Sequence, residues 1–237
     1  MPKKCSFALL LLASVSVASA APTVHLENAR SLVSHMRAQG ELGMFFDQNN
    51  VEYNQYGANW ANVVLDYHEP AYANAVCSSF LTRLLMDSYA GWTAKGKGFA
   101  SASPTAAVYH EAVSASFGGF REVKVFENIK PGDILAAKYL DGSADTGHIM
   151  IVNDAIAGPP DAKGYIRWSV QVIDCSKSTH STDTRGFPNY TSRGVGMGWM
   201  YIWTRWNKIV SYAWSQRNGS IVYTPEVRHL VLGRLVL

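Results

Sequence analysis

"KPGDILAAKYLDGSADTGHIMIVNDAIAGPPDAKGYIRWSVQVIDCS", residues 130 to 176, decides the fold. "KPGD" (130–133) is a turn that launches the apolar run "ILAAKY", and "DGSADTG" is a second turn. "HIMIVNDA" (148–155) is a second strand, and "GPPDAKG" turns into a third, "YIRWSVQVIDCS" (165–176). Side chains alternate across a strand, so Ile166, Trp168, Val170, Val172 and Asp174 share the core face of the third strand. Cys175 points to the other face. His148 opens the second strand on the face of Met150 and Val152.

Upstream the periodicity is helical. "TVHLENARSLVSHMRAQ" (23–39) carries Leu26, Leu32, Val33 and Met36 at helical spacing and stops at Gly40. Residues 41 to 70 read as irregular. The helix expected after Pro70 carries Cys77, Phe80, Leu81, Leu84, Leu85 and Tyr89 on one stripe, with Cys77 at its opening edge. "PTAAVYHEAVSAS" is a third, short helix, with Ser103 expected as N-cap and Pro104 at the first position. Downstream, residues 177 to 197 read as a polar surface excursion. "GWMYIWTR" and "KIVSYAWS" form a hairpin across "RWNK", and "VRHLVLGRL" is a last strand. The expectation is an α+β domain: N-terminal helices packed on an antiparallel β-sheet, with a C-terminal β extension.

The first twenty residues have the form of a signal peptide, with a basic "MPKK", an apolar "CSFALLLLASVSV" and small residues at Ala18 to Ala20. The expected mature chain, residues 21–237, is one domain in the periplasm or secreted, with no stable membrane insertion after cleavage. Losing Lys3 and Lys4 lowers the formal charge from +3 to +1. Such a near-neutral chain without a basic run gives no support to nucleic-acid binding, and no nucleic-acid partner is expected. "NYT" (189–191) and "NGS" (218–220) match the glycosylation acceptor pattern, which matters only in a eukaryotic secretory pathway.

Two cysteines survive leader removal, Cys77 and Cys175. An exporting compartment permits a disulfide between them. The alternative is chemical: a thiol at a helix start, a histidine opening one strand, and an acid ending the core face of the next. The helix dipole and an imidazolium favour thiolate, imidazole moves the thiol proton, and an acid selects the useful ring tautomer. Each residue alone has a bland reading as packing, solvated histidine or turn cap.

"AVCSSFLTRLL", "KPGDILAAKY" and "TGHIMIV" resemble the NlpC-type cysteine peptidases, the papain-like cell-wall endopeptidases of bacteria. The resemblance spans about residues 50 to 176, although Val76 and Ser79 stand where the family commonly has Asp and Gly. It implies a papain-like fold with Cys77 as nucleophile, His148 as base and Asp174 as the orienting third residue. It also implies a substrate-lining tyrosine, Tyr53 or Tyr56, with Ser78 beside the nucleophile. The implied substrate is an amide bond of peptidoglycan stem peptides. No cofactor or metal is called for, since His25, His35, His68, His110, His180 and His229 lack paired ligand spacing. His180 reads as a rim or solvated loop residue. Acyl transfer or esterolysis by the same groups, and a binding module with a Cys77–Cys175 bridge, remain the competing readings.

Overall fold

The structure, a computed structural model, describes residues 23–57, 60–186 and 193–237. The expected leader and the "NYT" triplet lie outside the described residues. The helices come first in the chain: α1 (Val24–Glu41), α2 (Cys77–Ser88) and α3 (Ala106–Ser114). The stretch between α1 and α2 is more ordered than its composition suggests. It forms β1 (Asn54–Tyr56), β2 (Val64–Asp66) and β3 (Tyr72–Ala75), a small sheet in the order β1-β3-β2. Strands of three or four residues are too short to show alternation, so periodicity misses them.

The second half is β4 (Phe120–Glu122), β5 (Ile134–Tyr139), β6 (Gly147–Pro160), β7 (Tyr165–Ser176), β8 (Gly194–Arg205), β9 (Lys208–Ala213), β10 (Val222–Tyr223) and β11 (Arg228–Leu235). They build one antiparallel sheet in the order β10-β9-β8-β7-β6-β5-β11-β4. The protein is therefore α+β, with few helices and a large antiparallel sheet. The C-terminal strands are not an extension. β8 pairs with the whole of β7, and β11 lies between β5 and β4.

Three local expectations are corrected. β6 runs on through Gly158, Pro159 and Pro160, where a turn was expected; the ladder slips between Ala157 and Pro160, where proline offers no N–H. The N-cap of α3 is Thr105, whose Oγ1 accepts the Val108 N–H at 3.4 Å, rather than Ser103. α1 passes Gly40 and ends at Glu41. The β8–β9 hairpin forms as read: Trp206 and Asn207 both take positive φ, 49° and 62°, the two-residue turn whose twist suits right-handed strands.

Strand alternation separates two cores. Ile134, Ala136, Ile149, Ile151, Ile173 and Cys175 face the helices and pack with Leu26, Leu32, Phe80, Leu81, Leu84 and Tyr109. Leu135, Met150, Val152, Val170, Val172, Met200, Tyr212 and Leu230 fill the opposite face. There β9 curls back toward β11, and the Phe126 N–H reaches the Asn207 carbonyl. Burying a side chain of this kind contributes about 1.5–3 kcal/mol, so each face is a substantial core. The "PGD" turn is clamped from both ends of the chain. The His25 Nε2 bonds the Gly132 carbonyl at 2.8 Å, and Arg234 grips Asp133 at 2.7 and 2.8 Å. No described helix is long and apolar enough to cross a membrane.

Candidate active site

Cys77 is the first residue of α2, at the junction where β3 ends and the helix begins. Val76, the N-cap, is extended, and the Ser79 hydroxyl accepts its N–H at 3.0 Å while the Phe80 N–H closes on its carbonyl at 2.8 Å. The amides of Cys77 and Ser78 belong to the first helical turn, whose donors have no carbonyl four residues back. The thiol is 7% exposed at the floor of a cleft of about 480 Å³.

The strand geometry delivers the other two groups. β6 and β7 pair Ile151 with Ile173, so His148 and Asp174 are diagonal neighbours on one face. His148 Nε2 lies 2.6 Å from Asp174 Oδ2. The remaining nitrogen, Nδ1, is not taken by Asp174, and the Cys77 thiol, in the same cleft, lies near enough for its charge to act on the imidazole. Gly147 makes this placement possible, because a β-carbon there would overlap the Ala137 carbonyl oxygen of β5. Burial opposes charge on the His148 ring, but Cys77 and Asp174 outweigh it and raise the imidazole to about 9.

Asp174 is the centre of a larger buried network that sequence reasoning missed. Its Oδ2 also lies 3.2 Å from His180 Nε2, and its Oδ1 lies 2.9 Å from Arg185 Nη2. Burial alone would push the carboxyl up; Arg185, His180 and His148 hold it well below the usual carboxylate range. Arg185, 1% exposed, is shared with Asp183 at 2.7 and 2.9 Å and bonds the Gly194 carbonyl at 3.0 Å. His180 is fully buried, not a rim residue. Its Nδ1 meets the Trp214 carbonyl at 2.6 Å, and its ring stacks on Trp214 at 4.3 Å. Trp214 in turn stands edge to face against His148 at 4.8 Å, so one indole covers both imidazoles.

A signal for this network was present in "GVGMG". Gly194, Gly196 and Gly198 alternate along β8, and a β-carbon on each would strike Asn54, Arg185 and His180 respectively. Glycines at period two in a strand mark a face that something approaches closely. At Gly196, which pairs with Asp174, and at Gly198 it is the segment of residues 180 to 185; at Gly194 it is Asn54 of β1.

The cleft is lined by Tyr56 and Ser78 but not by Tyr53. Tyr53 points its backbone elsewhere, bonding Phe45 and Ala73. Lys177, Trp214, Tyr139 and Arg228 also line the cleft, and the sequence had singled out none of them. Cys77 and Cys175 are both free, so no bridge joins them. Cys175 is sealed at 0% exposure with its thiol 3.2 Å from the Ala75 carbonyl, and burial, with Asp174 nearby, pushes it well above the ordinary thiol range. Among the described residues no group of three or more His, Cys, Asp or Glu is arranged to hold a metal. Comparisons with protein-family models, curated proteins and solved structures found no match for the chain.

Proposed function

We propose that this chain is an exported cysteine hydrolase of papain-like fold that cleaves amide bonds, with peptidoglycan stem peptides as its substrate. The observation that carries the reading is the grouping at the cleft: a helix-opening thiol and an imidazole line it together, and a buried carboxylate holds the imidazole Nε2 at 2.6 Å. The peptidoglycan substrate rests on the sequence resemblance.

In this mechanism His148 Nδ1 takes the Cys77 proton and the thiolate attacks the amide carbonyl. The new C–S bond gives a tetrahedral oxyanion, held by the N–H groups that open α2. Collapse breaks the C–N bond, and the His148 imidazolium returns its proton to the leaving amine. Water, deprotonated by the same ring, then hydrolyses the thioester and regenerates Cys77. Asp174 keeps the ring proton on Nε2, so that Nδ1 is the nitrogen that works. Trp214 shields the His148–Asp174 pair from water, which strengthens both interactions.

The test is release of peptides from purified muropeptides by the mature protein and by Cys77→Ala. Intact muropeptides with wild type, alongside turnover of a simple thioester or ester, would move the assignment to acyl transfer.

A further inference from the structure

Besides His148, Lys177 and Arg228 line the cleft, and they are built differently. Lys177 is 66% exposed and 3.9 Å from Asp145, a solvated pair of little strength. Arg228, at the start of β11, is held on three sides. Its guanidinium carbon lies 3.9 Å over the Tyr139 ring and 4.1 Å over the Tyr223 ring, and Nε bonds Asp141 at 2.9 Å. Rings stacked on a guanidinium leave its N–H groups, which lie in the plane, for acceptors. Among the described residues its charged partner is Asp141, through Nε. The Nη hydrogens are not taken by that carboxylate.

Tyr139 ties this group to the reactive thiol, because the ring under Arg228 lines the same cleft as Cys77. A rigid, partly desolvated guanidinium in the cleft that holds the nucleophile suits a planar anion with two oxygens. We propose that Arg228 forms an anion subsite that selects substrates carrying a free carboxylate close to the scissile amide. This rests on the hydrolase reading for Cys77 and adds the chemical class of substrate. Asp141 tempers the subsite, since its own charge opposes an incoming carboxylate.

The test needs no natural substrate. Bromoacetyl-alanine and bromoacetyl-alaninamide differ only in a carboxylate, and both alkylate a thiol by displacing bromide. Their second-order rates on Cys77 are compared at one pH and low salt, with thermal melting as a check on folding. Wild type should favour the acid by about 10- to 100-fold, the range of one charge-assisted contact. Arg228→Gln should bring the ratio of acid to amide rates close to one, and Lys177→Gln should keep the preference. Asp141→Asn, at an exposed position, should raise the ratio, which keeps the idea testable if Arg228→Gln folds poorly. A wild-type ratio near one, a ratio indifferent to Arg228→Gln, or one abolished only by Lys177→Gln overturns the subsite and makes Arg228 a structural staple. If Cys77 labels no faster than Cys175 with either reagent, the nucleophile reading fails and the subsite falls with it.

Discussion

Replacing Asp174 by asparagine is the most informative single change. Both carboxylate oxygens are engaged: Oδ2 meets the two imidazoles, and Oδ1 lies 2.9 Å from Arg185 Nη2 as an ion pair without an aligned hydrogen bond. An asparagine has one acceptor and one donor, so its NH₂ must confront one side. Arg185 cannot surrender a proton, whereas a histidine can move its proton from one nitrogen to the other. The amide oxygen therefore turns to Arg185 and the NH₂ to His148. The ring must then accept at Nε2 and carry its proton on Nδ1, where it can no longer receive one from Cys77. Loss of the useful tautomer is worth about 10⁴ in turnover when it is complete, so kcat should fall by about 10³–10⁴. Stability should fall as well. Breaking a buried ion pair by removing one partner costs about 3–5 kcal/mol, and the lower end applies because Arg185 keeps Asp183. At about 2–4 °C per kcal/mol for a chain of this size, Tm should drop by about 6–12 °C. The assay is kcat on a chromogenic amide, with a calorimetric melt of the same preparation. Turnover within threefold of wild type would refute the tautomer argument. A large loss of turnover without any fall in Tm would refute the buried network.

Titration of His148 should be visible in the melt. Its folded value, about 9, is above the unfolded value of 6.5, so its contribution is whole below 6.5 and is lost as pH rises to about 9. Tm should decline over that window in wild type, and His148→Ala should remove that part of the slope. Iodoacetamide at pH 6 should label Cys77 and spare the sealed Cys175 in the folded protein; equal labelling of the two argues against a nucleophile at Cys77. Gly147→Ala should lower kcat by about tenfold or more and also lower Tm, because strand β6 must shift to clear Ala137. Normal values of both would show that the close approach is tolerated. Trp214→Ala should leave Cys77 in place yet reduce kcat by about tenfold, as water reaches the His148–Asp174 bond; an unchanged kcat would assign the indole to packing alone.

Regular alternation and long helical stripes were legible in the sequence. β5 and β7 appear at the bounds read from their residues, and parity put Asp174 rather than Cys175 on the face of His148. What parity could not show is that both faces are buried, because a strand between two cores reads like one covered on a single side until its odd positions are inspected for Ile173 and Cys175. The choice between Tyr53 and Tyr56 depended on three-residue strands that carry no periodic signal. His180 reads differently in the structure, and Arg185 went unnoticed, for another reason. A polar segment is normally solvated, and only its fit onto the glycine face of β8 makes burial of that much charge affordable. The polar run and the glycine run had to be read together.

The position of β11 has a consequence for how the molecule comes into being. β4 and β5 both wait for a partner about a hundred residues further along the chain. Pairings this remote form late, because a long loop must close before any contact rewards it. Until β11 arrives, β5 presents an open row of amides and carbonyls in a chain rich in apolar side chains, a template for association with other chains. The same late strand brings Arg228 to the cleft and Arg234 to Asp133. Biogenesis is thus the vulnerable stage. A nascent or truncated form lacking residues 228–235 would carry Cys77 and His148 but an unfinished sheet, and would be a client for a holdase chaperone.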